Sequence, residues 1–129
     1  MYKVLIVEDE PIMAKVLISI FRSEKYEVTH CPAGEPGMEA AHKELPDLIL
    51  MDINLPDGSG LDLCKQIKAS PRLKHIPVIL ITGDATSVES KMEGLESGAD
   101  DYVLKPFIAE ELIARAAGIL KRSLKFRAH

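Results

Sequence analysis

Cysteine is scarce in this chain: only Cys31 and Cys64 occur, at no spacing that suits a metal site. Two such thiols argue against a disulfide-stapled secreted module and for a reduced, cytoplasmic protein. Long apolar runs are missing as well. No stretch approaches the roughly 20 apolar residues that a membrane span needs. The opening MYKVLIVEDE has no basic region followed by an apolar stretch and a cleavage site, so no export signal is expected. Positive charge is in deficit, and the net charge of -4 weighs against nucleic-acid binding by this segment. The one basic cluster, Lys121, Arg122, Lys125 and Arg127, fits a helix end where the dipole favours cations. His30, His42, His75 and His129 are scattered, without the paired spacing of a metal site.

What is present is enough for one domain. The 129 residues are 47% hydrophobic and 28% charged, as in an ordinary globule with a full core. Strand-like runs near 3–8, 26–31, 47–52, 77–82 and 101–104 alternate with helical patterns. In the first helical pattern Ile12, Met13, Val16, Leu17, Ile20 and Phe21 form one stripe, with Pro11 suited to the first turn. A second, near 35–44, has Pro36 at its start, and a third, near 59–69, turns Leu61, Cys64 and Ile67 inward. The fourth opens with Thr86 and Glu89 at capping-box spacing and is thinly anchored by Val88, Met92 and Leu95. The last is strong, with Leu112, Ile113, Ala116, Ile119 and Leu120 inward, Glu110 and Glu111 in its first turn and Lys121 and Arg122 in its last. LILM and VILI are continuous apolar runs, which suits strands buried on both faces. Alternation of this kind means a doubly wound five-stranded parallel sheet. Residues 1–122 are expected to form this domain, and 123–129 a tail or the start of a linker.

Polar residues fall at the carboxyl ends of these runs: Glu8 and Asp9, Cys31, Asp52, Thr82 and Lys105. Ligands of open α/β sheets bind at that edge. Singly, each has a plain structural use. Asp9 or Glu10 could cap a helix before Pro11, and Asp52 could be a turn residue in DINLPDGSG. Thr82 and Gly83 could form a strand-to-helix turn, and Lys105 a surface loop. Jointly they point to one pocket. Two carboxylates about 4 Å apart repel by roughly 4 kcal/mol at an effective dielectric of 20; a hard divalent cation would relieve that, and Mg2+, which takes one or two carboxylates plus a phosphate, suits the pocket together with a phosphoryl group. Lys105 supplies a fixed cation, Thr82 a neutral donor, and Gly83 an amide open to close approach.

The ordered set VEDE, MDINLPDGSG, ITG and GADDYVLKPF resembles the response regulator receiver domains of two-component signalling, over residues 3–122. The resemblance implies a flavodoxin-like (βα)5 fold with strand order 2-1-3-4-5. It implies Asp52 as phosphoacceptor, Asp9 as a direct Mg2+ ligand, Glu8 acting on the metal, and the Asn54 backbone carbonyl as a further ligand. Thr82, Gly83 and Lys105 would bind the phosphoryl group, with the Lys105–Pro106 peptide cis, and Tyr102 would be the aromatic switch. The donor would be a sensor histidine kinase or a histidine phosphotransfer protein, and the chain would not be an enzyme in its own right. Receivers of the winged-helix transcription factor class dimerise through the fourth helix, fifth strand and last helix. The matching charge pairs here are Lys91 with Glu111, Asp101 with Arg115, and Asp100 with Arg122, which implies a homodimer on phosphorylation and an output domain. Ile108 departs from the helix-capping residue frequent at that position. A haloacid-dehalogenase-like phosphatase would want D-x-D early in the chain. A flavin module would want a phosphate-cradling first loop, and VEDEP is acidic. A receiver serving only as a docking surface would lack a pocket residue, and none is missing.

Overall fold

The computed structural model describes residues 1–83 and 96–127, with side chains through residue 123. The helical pattern at 86–95, Asp84 and Lys91 lie outside the described residues. The elements are β1 (Lys3–Val7), α1 (Pro11–Ser23), β2 (Glu27–Cys31), α2 (Gly34–Glu44) and β3 (Leu48–Asp52), then the short β4 (Asn54–Leu55) and β5 (Gly58–Ser59). They are followed by α3 (Gly60–Ala69), β6 (Val78–Thr82), β7 (Asp101–Leu104) and a C-terminal helix (Ala109–Arg127).

The five long strands form one parallel sheet in the order β2-β1-β3-β6-β7. With the β4–β5 hairpin set aside, this is the expected order 2-1-3-4-5. Alternation along the strands divides the core. Val4, Ile6, Leu48, Leu50, Ile79 and Ile81 pack with Leu17, Phe21, Leu112 and Ala116 on the face of α1 and the C-terminal helix. Leu5, Val7, Ile49, Met51, Val78 and Leu80 pack with Ala41, Cys64 and Ile67 on the face of α2 and α3. Both faces are thus covered, which is why β3 and β6 are buried at every residue and read as unbroken apolar runs.

Two expectations need correction, and one turn-rich stretch proves more ordered than its composition suggests. In α1 the buried residues are Ala14, Leu17 and Phe21, whereas Ile12 is 73% and Val16 42% exposed. At about 100° per residue Ile12 and Val16 lie opposite Ala14, the small residue that lets the helix lie close to the sheet. The turn-rich DINLPDGSG is an antiparallel hairpin, with Asn54 opposite Ser59 and Leu55 opposite Gly58. The C-terminal helix continues past Lys121 and Arg122 to Arg127, since nothing in SLKFR breaks it. It starts despite the absence of a capping side chain at Ile108, whose carbonyl accepts from the Glu111 and Leu112 amides.

Gly60 joins β3 to α3 at closest approach. A Cβ there would stand 2.2 Å from the Asp52 carbonyl oxygen and 2.9 Å from the Ile53 Cα.

Candidate functional site: an acidic pocket at the carboxyl edge

The sheet register builds the pocket. Val7 lies level with Met51, Asp52 with Ile81, and Thr82 with Leu104. The next residue along each strand therefore brings Glu8, Asp52, Thr82 and Lys105 to one edge. Glu8 extends the ladder by donating its amide to the Cys31 carbonyl at 3.1 Å, and its side chain is only 1% exposed. Cys31 itself takes no part in the pocket; it belongs to the α2–α3 core, where burial pushes its thiol pKa up. Glu10 is the residue that caps α1, its carboxylate accepting from the Ile12 and Met13 amides. That leaves Asp9 exposed at the mouth of the pocket.

Oxygens of Glu8, Asp9 and Asp52 all lie within 4.8 Å of one another. Facing them is Lys105, whose Nζ is 2.6 Å from Glu8 Oε1 and 3.1 Å from Asp52 Oδ2. The other Asp52 oxygen accepts from the Asn54 amide at 3.0 Å, so the carboxylate is held from two sides. Lys105 is placed by its own amide, which donates to the Thr82 carbonyl at 2.8 Å. Gly83 runs alongside, close enough that a Cβ would be 3.7 Å from Lys105 Cβ. The Lys105–Pro106 peptide is cis, as expected. Thr82 is 2% exposed, and Tyr102 is half-buried against the α2–α3 core.

Burial raises the Glu8 pKa, the Lys105 ammonium opposes this, and the neighbouring Asp52 adds to it. Burial works against the Lys105 cation, but its hydrogen bonds to Glu8 and Asp52 prevail and its pKa lies above that of an ordinary lysine. With Glu8 ionised, three carboxylates face one ammonium. The residual negative charge, the all-oxygen donor set and one solvent-facing member fit a hard divalent cation such as Mg2+.

Of the expected surface pairs, Asp101 and Arg115 meet within the chain. Arg115 binds Asp101 at 2.9 Å and Glu111 at 2.9 Å. Within the chain Asp100 pairs with Lys68 at 2.9 Å and accepts from the Val78 amide. Sequence reasoning also missed Asp57. Its two carboxylate oxygens accept from the Gly34 and Glu35 amides at 2.8 Å each, capping α2 from the hairpin. The available signal was Ala33, which precedes the helix and has no side chain able to cap it.

The response regulator receiver domain family matches residues 4–117. The response regulator ArlR of Staphylococcus saprophyticus is 42% identical over 122 residues, covering 95% of this chain and 54% of that protein. The DNA-binding response regulator MtrA of Mycolicibacterium smegmatis is 36% identical over 121 residues, 94% of this chain and 51% of its own length. The chain thus spans about half the length of the curated relatives it matches. Among solved structures, a putative response regulator from Chloroflexus aurantiacus superposes with a TM-score of 0.88 at 35% identity, covering 93% of this chain and 98% of that one.

Proposed function

The chain belongs to the response regulator receiver family and carries a receiver domain of two-component signalling; from that premise we propose that Asp52 is its phosphoacceptor. The observation that supports this is the posture of Asp52, which is 8% exposed and held between the Asn54 amide and the Lys105 ammonium. One oxygen of this held carboxylate attacks phosphorus in line. As the P–O bond forms, the P–N bond to the donor imidazole breaks, and the imidazole leaves with its electron pair. Lys105 offsets charge on the equatorial oxygens, a fixed electrostatic contribution made without reorganisation. Glu8, Asp9, Asp52 and the Asn54 carbonyl would hold Mg2+, which when bound would supply positive charge against the acceptor and the incoming phosphoryl group. Water later hydrolyses the acyl phosphate, so the domain completes a signalling cycle on itself rather than turning over a separate substrate.

A protein donor suits the rim. Ile12 in the first turn of α1 is 73% exposed, and Ile108, three residues beyond Lys105, is 64% exposed. These exposed residues lie close in sequence to pocket residues, and on this reading the donor is a protein, a histidine kinase or histidine phosphotransfer protein. Thr82 and Lys105 report the phosphorylated state, because they bond to the phosphoryl oxygens in only one arrangement of the loop after β6. Tyr102 follows Thr82 inward, and the change is read on the surface formed by the segment before β7, by β7 itself and by the C-terminal helix. There Lys91, Glu111, Asp101, Arg115, Asp100 and Arg122 serve a homodimer, with Arg115 and Asp100 exchanging their partners within the chain for partners across it. The domain boundary near residue 122, a C-terminal output domain and a cytoplasmic location belong to the same reading. No helix among the described residues is long and apolar enough to cross a membrane. Acetyl phosphate with Mg2+ should label the wild type and not Asp52→Ala; equal labelling would sink the assignment.

A further inference from the structure

The hairpin β4–β5 is held at two separated points. At its base, the Asn54 amide donates to Asp52 Oδ1 at 3.0 Å, and the Gly60 amide donates to the Ile53 carbonyl at 2.7 Å. At its turn, Asp57 grips the Gly34 and Glu35 amides at the start of α2. Between these anchors lie two ladder pairs and Leu55, 8% exposed in the core. A short paired ribbon tied at both ends transmits displacement along its length. α2 has no cap from its own Ala33, so Asp57 is the side chain that closes this helix end. The grip needs glycine at position 34, where a Cβ would fall 2.5 Å from Leu63 Cδ1 and 3.1 Å from Asp57 Oδ1.

We propose that Asp57 is a positioning residue for metal binding: by fixing the hairpin turn to α2 it holds the Asn54 carbonyl where Mg2+ takes it up, without touching metal or phosphoryl group. This rests on the reading of Asn54 as a metal ligand. Groups that bind a metal's ligands from behind tune its affinity by about 10- to 100-fold, and Asp57, which acts through the hairpin rather than on a ligand itself, is expected to fall below that range. Linkage makes the effect reciprocal. If the clamp tightens Mg2+ binding, Mg2+ must tighten the clamp by the same factor.

Calorimetric titration of Mg2+ at fixed pH and ionic strength reads this directly. Asp57→Ala should weaken Mg2+ by about fivefold, with Asp57→Asn, which keeps one acceptor oxygen, lying between it and wild type. Gly34→Ala breaks the grip from the other side with every carboxylate intact, and should weaken Mg2+ similarly. Asp62→Asn removes a neighbouring charge from the first turn of α3 without touching the clamp, and should change affinity less than about twofold. In the wild type, saturating Mg2+ should slow hydrogen exchange at the Gly34 and Glu35 amides. Equal Mg2+ affinity for wild type and Asp57→Ala would overturn the proposal, as would an Asp62→Asn loss matching that of Asp57→Ala. A wild type that takes up no Mg2+ would overturn the metal reading itself, and this inference with it.

Discussion

The two edges of the sheet use the same chemical parts to opposite ends. At the amino edge, Lys68 donates to the Ile76 carbonyl at 2.8 Å and to Asp100 at 2.9 Å, while Asp100 also accepts from the Val78 amide. One cation meets one anion, and the surplus hydrogen-bonding capacity is spent on backbone. At the carboxyl edge, one lysine meets three carboxylates, two of them buried. The first arrangement is complete and serves the fold. The second is short of positive charge, and that deficit fits a hard divalent cation, which would in turn offset the charge of a phosphoryl group. An unbalanced polar cluster in a parallel sheet thus marks function more reliably than the residue types in it.

The largest contrast is at Asp52. Asp52→Asn should abolish labelling by a phosphodonor while leaving stability unchanged or higher, because it removes like-charge repulsion; urea unfolding in chelator reads the second half. Lys105→Ala should destabilise the metal-free protein by about 2 kcal/mol, since it strips buried carboxylates of their counter-ion. Added Mg2+ should restore part of that loss, whereas Lys68→Met should cost about 1 kcal/mol, indifferent to Mg2+, with the phosphorylation rate unchanged. If Lys68→Met slowed phosphorylation as much as Lys105→Ala, the division between the edges would collapse.

The pH profile is a subtler probe. Glu8 has a raised pKa in the folded state, chiefly from burial, so the folded protein holds its proton more tightly than the unfolded chain does. Its contribution to stability is full below the unfolded pKa and is lost as pH rises through the folded one. Asp57 runs the other way. The Glu35 and Gly34 amides hold its pKa below the ordinary value, so its contribution is present above the unfolded pKa and disappears as pH falls through the folded one. Unfolding in chelator should therefore show a decline above the ordinary carboxylate range that Glu8→Gln flattens, and an acid limb that Asp57→Asn flattens. The smallest expected signal is association. Sedimentation with beryllofluoride and Mg2+ should show dimer, and a monomer at tens of micromolar would count against the surface pairs.

The parallel, doubly covered sheet was legible because the β3 and β6 runs are uninterrupted, whereas the strand order came with the resemblance that the ordered motifs carry. The pocket was legible because parallel register brings strand ends level, so position along the chain translates into position in space. Three things were hidden. The orientation of α1 depends on how closely Ala14 lets it approach, which hydropathy scored below Ile12 and Val16. The pairing of Asp100 with Lys68 joins residues 32 apart, and no local pattern singles out that lysine among its neighbours. The Asp57 clamp spans 23 residues from a stretch whose composition says only that it turns.

At Gly60 there is no room for even a methyl group beside the carbonyl of Asp52. The start of α3 and the end of β3 are in effect one casting, with no slack between them. On the proposed reading, any rearrangement on phosphorylation would have to leave this joint intact, with Asp52 anchored on its chain side.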